Sequence, residues 1–443
     1  MSSQVALSKV QGTAYGLKLK AEDELRSKGR GLPSRSAKLR LFDAADDYEP
    51  RVVFYRDSAA WCPYCQKVWM LLEEKKIPYR VELINMRSYG DKPQDFLRKV
   101  PGGFLPAIEL DGQVVTESLD IMALLDRTFE GIALIPREES TLNEARELLR
   151  LERQLLRSWC DYVFRGGFGS KGAFERDLVK VDKAIEGPFF LGKDISIVDL
   201  QYVSHIERMS ASVAYWKGDV LRGNPKYPKI NQWFEALEKL PSYRASRSDF
   251  YTHIKDIPPQ YGDGNFDKQR SKDHAHALTG GDWTMDSLLQ QNKVVPLEVQ
   301  LQPGWDDLYE TANTEAAYRL LQNLEAIVKF ASRPAGPKGI GKWAGGRPDR
   351  AKLADPYAEP AKESKTLGDI RSALVAVADN LLLNDDGQKQ YLLSSGDVSD
   401  AKTTALCLAY LRDRVGVPRD MSFPAARSLR CHLNGAIAQL SLK

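Results

Sequence analysis

Two cysteines separated by a proline and a tyrosine, in Trp61-Cys62-Pro63-Tyr64-Cys65, stand directly behind a stretch that reads as a β-strand, Arg51-Val-Val-Phe-Tyr-Arg56. Pro63, Gln66, Val68, Trp69, Leu71 and Leu72 continue as a short helix with an apolar stripe. The chain is therefore expected to run strand, tight turn and helix, with Cys62 as the helix N-cap. Orphan backbone N–H groups and the positive end of the helix dipole stabilise a thiolate in that place. Pro63 suits the first helical position because it has no N–H to leave unpaired, and Cys65, one turn on, is near enough to close a disulfide. The same spacing also serves zinc, but zinc needs a second ligand pair, and Cys160, Cys407 and Cys431 supply none. Redox or thiol-transfer chemistry is the expected use, with zinc the alternative.

A chain of 443 residues exceeds what one ordinary core serves, so two or three domains are expected. Its 43% hydrophobic and 28% charged residues are those of a soluble globular protein. No uninterrupted apolar run approaches the ~20 residues of a membrane helix. A net charge of +3 gives no reason to invoke nucleic acid as a partner. Five cysteines, an odd number and mostly isolated, fit an intracellular, reducing compartment. Through Arg40 there are nine basic residues against three acidic ones, and residues 1–38 read as a mobile N-terminal arm. Its basic start is also that of a transit-sequence remnant, with Glu22-Asp23-Glu24 arguing against a complete one.

Residues 39–135 alternate strand and helix, with Tyr79–Ile84 as a second strand and Gln94–Lys99 as a helix. Ala107–Leu110 and Val114-Val115 form a hairpin around Asp111-Gly112, which completes a thioredoxin-like order. Residues 140–256 read as all-helical, as in the spacing of Leu148, Leu151, Leu155 and Trp159. Residues 257–302 read as a polar linker with a short helix near Met285–Gln290, and with His274 and His276 as solvated loop residues. Residues 303–443 read as a bundle-like helical domain. Leu308, Ala312, Ala316, Leu320, Leu324, Ile327 and Ala331 trace one helix, and Ile370, Leu374, Val377 and Leu381 another, with Thr366 and Asp369 as a capping-box variant. Leu408, Leu411 and Val415, then Leu429, Leu433, Ile437 and Leu440, supply two more. Gly336-Pro-Lys-Gly-Ile-Gly-Lys342 matches most of a P-loop, but Trp343 stands where a hydroxyl would ligate magnesium. His432 alone in this region excludes a di-iron site, and Cys407 and Cys431 read as small core residues.

Ala60-Trp-Cys-Pro-Tyr-Cys-Gln-Lys-Val-Trp69, Glu73-Glu-Lys-Lys-Ile-Pro-Tyr-Arg80, Leu105-Pro106 and Thr116-Glu-Ser118 together resemble the glutathione transferase superfamily. Within it they are most similar to the cysteine-containing iota class of photosynthetic organisms. The resemblance runs from about Leu39 to Lys255. A glutaredoxin would end near Glu130, and the gamma subunit of translation elongation factor one lacks a redox-type Cys-Pro-Tyr-Cys. The resemblance implies a thioredoxin-like α/β domain, an all-α transferase domain and the class's C-terminal helical extension. It implies Cys62 and Cys65 as catalytic residues, with Trp61, Pro63, Tyr64, Lys92, Leu105, Pro106, Glu117 and Ser118 around glutathione. Leu105-Pro106 would be a cis junction whose Leu105 backbone pairs with the glutathione peptide. Glu117 and Ser118 would hold the γ-glutamyl end and Lys92 the glycyl end. Ser196-Ile-Val-Asp199 matches the helical domain's capping box, a folding element. Trp159, Tyr162 and Tyr215 border the expected acceptor site, although core packing accounts for each as well.

The function this resemblance implies is that of a glutathione-dependent thiol transferase or reductase. Its substrates would be glutathionylated or oxidised small molecules, dehydroascorbate or glutathionyl-quinones. Glutathione is its co-substrate and no metal is required. Neither nucleic acid nor membrane is expected as a partner, homodimerisation stays open, and cytoplasm or chloroplast stroma is the expected location. The C-terminal region is expected to carry no catalytic residue and to dock or regulate, so that a chain cut near Asp256 keeps a reactive Cys62. The alternative is a glutathione-binding module with vestigial catalysis, whose C-terminal domain recruits a protein partner.

Overall fold

The computed structural model describes residues 3–279, 309–338, 353–383 and 398–441. Two helices, α1 (Ser3–Gln11) and α2 (Ala14–Ser27), precede a sheet of strands β1 (Leu39–Arg40), β2 (Val52–Asp57), β3 (Tyr79–Ile84), β4 (Ala107–Leu110) and β5 (Gln113–Thr116). The sheet order is β1-β3-β2-β4-β5. β2 pairs in parallel with β3, Val52 opposite Tyr79, and antiparallel with β4, Val52 opposite Leu110. The β4–β5 turn sets Asp111 at φ 50° and Gly112 at φ 83°, the positive angles that a tight hairpin twisted with its strands demands. Side chains alternate across β2. Val52 and Phe54 meet helices α3 (Pro63–Glu74) and α5 (Ser118–Thr128) in the larger core. Tyr55 faces the other way, with Ile84 and Ala107, under Phe96 and Val100 of α4 (Gln94–Lys99) and its end. The expected thioredoxin-like arrangement is present.

The helical half comprises α6 (Glu139–Cys160), α7 (Ser170–Ala184), α8 (Ile197–Lys217), α9 (Pro228–Leu237), α10 (Pro241–Ser246), α11 (Phe250–Tyr261) and α12 (Lys272–Thr279). Helix α8 is buried along its length except at Tyr215. Its start is held by the expected capping box. The Asp199 carboxylate accepts from the Ser196 amide at 2.8 Å and hydroxyl at 2.8 Å, and from the Phe190 amide at 3.0 Å and the Trp233 indole at 2.9 Å. This half extends past the expected boundary at 256. α11 carries Pro258 and Pro259 through to Tyr261, and Leu278 of α12 joins the same core as α8. His274 and His276 are therefore helical residues of α12, which corrects their reading as loop histidines in a linker. The expected helix at Met285–Gln290, together with Leu308 and the part of the P-loop-like stretch after Lys338, lies outside the described residues.

The last third is helical as expected, with corrections. Helices α13 (Tyr309–Gln322) and α14 (Leu324–Ala331) break at Asn323, where one continuous helix was expected. Thr366 lies inside α15 (Ser364–Leu383) and does not cap it. Asp369 instead reaches the start of α16 (Ala401–Arg414), accepting from the Ser399 amide at 3.1 Å and the Asp400 amide at 3.0 Å. With α17 (Phe423–Ser441) these helices enclose a second core that contains Cys407 and Cys431. The N-terminal arm belongs to that core. Ala6, Val10 and Leu19 are buried in it, which corrects the reading of residues 1–38 as a mobile arm. Thr13 caps α2 by accepting from the Gly16 amide. At Gly16 a Cβ would lie 2.0 Å from the Val10 carbonyl oxygen, so the two helices meet this closely only at glycine.

The two cores are joined across α11. Arg430 and Asp249 form a fully buried ion pair at 2.6 Å, the Val417 amide donates to Thr252 Oγ1 at 3.1 Å, and the Tyr251 hydroxyl donates to Asp413 at 2.9 Å. A cut at Asp256 would fall inside α11, between these contacts and the helix end.

Asp199→Ala would leave the buried Phe190, Ser196 and Trp233 donors without an acceptor, at a cost of about 1–3 kcal/mol for each unpaired group. The expected loss in unfolding free energy is about 3 kcal/mol or more by chemical denaturation. A loss below ~1 kcal/mol would remove this carboxylate from the stability of the helical half.

Candidate active site

A chain that leaves a strand and enters a helix within five residues carries amide groups that no regular structure pairs. Asp57, the last residue of β2, answers this. Its Oδ2 accepts from the Trp61 amide at 2.6 Å and from the Cys62 amide at 3.1 Å. Ala60 takes φ 53° to close the turn. Cys62 then caps α3 with Pro63 at its first position, as expected, and no side chain fills the cap. The Cys62 Sγ lies 4.0 Å from the Leu105 carbonyl oxygen, and the Leu105–Pro106 bond is cis. Cys65 is 2% exposed. Burial pushes its thiol well above the usual range, and the Cys62 sulfur beside it adds to the shift. Among the described residues, Asp57, Cys62 and Cys65 are the one group whose ligand atoms converge as a metal site would, all within 4.8 Å of one another.

The other expected contacts surround this pair unevenly. Lys92 donates to the Asn85 carbonyl at 2.7 Å. Burial lowers its pKa while Cys65 and Cys62 oppose the shift, so its ammonium lies in the field of both thiols. Glu117, exposed, caps α5 at φ 65°, and Ser118 begins that helix. A non-glycine residue at such an angle costs about 1–3 kcal/mol, a strain that is found at ligand-holding positions. Tyr64 packs edge-on against the His205 ring, 5.6 Å between centroids. Trp61 departs from its expected place among glutathione contacts. Its indole is 1% exposed and turned into the helical half, where Nε1 donates to His253 Nδ1 at 3.0 Å.

The acceptor-site candidates are placed largely in packing. Trp159 is fully buried, donates to Ser212 Oγ at 2.8 Å and meets the rings of Phe164 and Tyr261. Tyr162 donates to Asp219 and stacks on Phe174, and half-buried Tyr215 packs against Trp216 and Phe266. Tyr261 and Tyr64 both feel Cys62: burial first, and the Cys62 sulfur after it, raise the pKa of each hydroxyl. Pro258-Pro259 gives the residues around Tyr261 the look of a linker and hides it in the sequence. Asp57 is hidden as well, because a strand-end aspartate has no spacing signature.

Beneath Cys62 lies a second buried layer. Lys67 of α3 is fully buried and donates to Gln201 Oε1 at 2.5 Å. Gln201 donates to Glu152 at 2.9 Å, and Glu152 pairs with His205 Nδ1 at 2.5 Å. Burial lowers the Lys67 pKa to about 7, against the pull of Glu152 and Cys62.

The family model for the glutathione S-transferase N-terminal domain matches residues 61–128. Glutathione S-transferase L3 of Arabidopsis thaliana is 32% identical over 196 residues, 42% of this chain and 79% of the relative. This chain belongs to the glutathione S-transferase family. Glutathione S-transferase DHAR2 of the same plant is 30% identical over 161 residues, 35% of this chain and 70% of that protein. Among solved structures, glutathione transferase Omega 3C of Trametes versicolor is 26% identical with a TM-score of 0.41, covering 46% of this chain and 91% of that one. The transferase domain so matched holds the capping thiol, the cis Leu105–Pro106 bond and the strained Glu117–Ser118 corner. No helix among the described residues is long and apolar enough to cross a membrane.

Lys67 carries a pH signature. Between about 7 and its ordinary 10.5 the unfolded chain holds a proton that the folded chain lacks, so this residue makes stability rise with pH across that window. Lys67→Met should therefore be more stable than the parent at neutral pH, with the gap closing as pH approaches the ordinary lysine value. Thermal melting across the window reads this. A gap that does not change with pH would mean that Lys67 titrates normally.

Proposed function

We propose that this transferase is a glutathione-dependent thiol transferase and reductase working through Cys62. The observation that carries the reading is the placement of the pair: Cys62 caps α3 beside the cis Leu105–Pro106 bond with its amide held by Asp57, whereas Cys65 lies one turn into the helix, where burial raises its thiol pKa. The Cys62 thiolate attacks the glutathionyl sulfur of a mixed disulfide, and the substrate sulfur leaves as a thiolate and takes a proton from water. A second glutathione thiolate then attacks the Cys62–glutathione disulfide, releasing oxidised glutathione and restoring the Cys62 thiolate. One free glutathione enters per turnover, and its sulfur leaves joined to the glutathionyl sulfur that came with the substrate, as oxidised glutathione. Glutathionylated thiols, dehydroascorbate and glutathionyl-quinones are the proposed substrates. Conjugation to electrophiles ranks lower, because a cysteine in this position bonds covalently with glutathione where a serine or tyrosine would only polarise its thiol.

In this reading the Leu105 backbone pairs with the glutathione peptide, Ser118 and Glu117 hold the γ-glutamyl end, and Lys92 meets the glycyl carboxylate. Pro63 and Tyr64 form the wall beside the sulfur. Trp61 contributes its backbone, since its side chain is engaged elsewhere. The iota class remains the subclass to which the Cys-Pro-Tyr-Cys motif and the C-terminal extension point, and a reducing compartment such as cytoplasm or chloroplast stroma suits a resting thiol.

Intact-mass measurement after mixing with oxidised glutathione should give a single glutathionyl adduct on the parent and none on Cys62→Ser. Cys65→Ser should keep or increase both adduct and turnover, because it removes only the internal disulfide that competes with the mixed one. Retention of most thiol-transfer activity by Cys62→Ser would overturn the assignment. Ser118→Ala should raise the KM for glutathione by up to about tenfold with little change in kcat, as expected for loss of a hydrogen bond made equally in ground and transition states. An unchanged glutathione dependence would remove Ser118 from the site.

A further inference from the structure

Trp61 stands immediately before the reactive thiol, and each of its polar groups is fixed. Its amide donates to Asp57, its carbonyl accepts from Arg208 Nη2, and its indole donates to His253 Nδ1. The Arg208 guanidinium also lies over the indole ring, 4.6 Å from its centroid. The chain of bonds goes on. His253 Nε2 is 2.9 Å from Glu207 Oε1, Gln66 Nε2 donates to Glu207 Oε2 at 3.1 Å, and Arg208 Nη1 donates to Gln66 Oε1 at 3.1 Å. Since Arg208 returns to the Trp61 carbonyl, the five residues close a ring that ties the turn to α3, α8 and α11. All five are 5% exposed or less.

The ring fixes the state of its histidine. Accepting at Nδ1 from an indole that can only donate, His253 carries its proton on Nε2 and gives it to Glu207. The imidazole is neutral, and burial lowers its pKa in the same sense.

The helix that carries His253 is held by the C-terminal bundle at its first turn. Asp249 uses one carboxylate oxygen to cap α11 at the Thr252 amide, 3.0 Å, and the other to pair with Arg430. Thr252, next to His253, accepts from the Val417 amide and from Arg430 Nη2 at 3.2 Å. Ser248 bonds the Val417 carbonyl through its hydroxyl and Glu207 Oε1 through its amide, so one residue touches both the bundle and the ring.

We propose that His253 is a positioning residue for the Trp61–Cys62 turn, and that the C-terminal bundle, by clamping the start of α11 through Arg430, sets the reactivity of Cys62. His253 touches neither substrate nor sulfur. It acts by denying the turn any other geometry. The inference rests on the reading of Cys62 as the reactive thiol, and it assigns the extension a part in the active site that docking alone would not give it.

The test is the rate of Cys62 alkylation by iodoacetamide at neutral pH in the full chain, without glutathione, with the modified cysteine located by peptide mass mapping. His253→Leu should slow alkylation by about tenfold, whereas His253→Gln, which can accept from the indole and donate to Glu207, should stay within about threefold of the parent. Trp61→Phe should slow it as well, and the double variant with His253→Leu should be no slower than the slower single one, because both remove the same bond. Arg430→Met should slow it in the same sense and add nothing to His253→Leu. If His253→Leu does not fold, His253→Gln, Trp61→Phe and Arg430→Met decide the matter. A parent thiol that is fast and indifferent to these changes overturns this inference alone, as do effects of Trp61→Phe and His253→Leu that multiply. A parent Cys62 no faster than an ordinary thiol overturns the thiol-transfer reading and this inference with it.

Discussion

A helix buried on every side must satisfy its polar side chains from within, and α8 imposes that requirement on the whole transferase half. Between its capping box and its end it carries Gln201, His205, Glu207 and Arg208, all buried. An unpaired buried polar group costs about 1–3 kcal/mol, and an unpaired charge costs more. The partners that meet this demand come from α3, α6 and α11, the elements that surround the reactive thiol. Gln201 and His205 bring in Lys67 and Glu152, and Glu207 and Arg208 bring in Gln66, Trp61 and His253. The geometry of the Trp61–Cys62 turn is thus tied to the burial of α8.

The two cysteines, one turn apart, stand at different places on α3. Cys62 lies at the mouth of α3, where unpaired amides and the helix dipole favour an anion, and Cys65 lies against the core, where desolvation opposes one. The same short helix supplies both environments. The carboxylate of Asp57 would destabilise a nearby thiolate by its charge, yet it holds the two amides that shape the turn. Its placement at the end of the central strand gives the turn its anchor and leaves its carboxylate within 4.8 Å of both sulfurs.

Much of this is legible in the sequence because local chemistry carries it. The Cys-Pro-Tyr-Cys cap, the Asp111-Gly112 hairpin and the Ser196–Asp199 box each depend on residues a few positions apart, whereas the cis Leu105-Pro106 junction is expected only from the family resemblance. The ring around Trp61 does not. Its members come from positions 61, 66, 207, 208 and 253, and a buried histidine or glutamate reads in sequence like any surface one. Trp61 is misplaced from sequence for that reason, since adjacency to Cys62 says nothing about which way the indole turns. The N-terminal arm is misread because its lysines outnumber the few apolar residues, Ala6, Val10 and Leu19, that decide its fate. Asp369 misleads because an aspartate near a helix start is by habit that helix's cap, and here it serves the start of another.

The burial of α1 and α2 in the last core has a consequence for how the chain is made. Synthesis runs from the N-terminus, so Ala6 and Val10 leave the ribosome long before α13 and α15 exist to cover them. The transferase half, whose core contacts span residues 52 to 278, can close while the bundle is still being translated. The first two helices must wait for α13 and α15, and their closure joins positions as far apart as the 296 residues between Asp23 and Arg319.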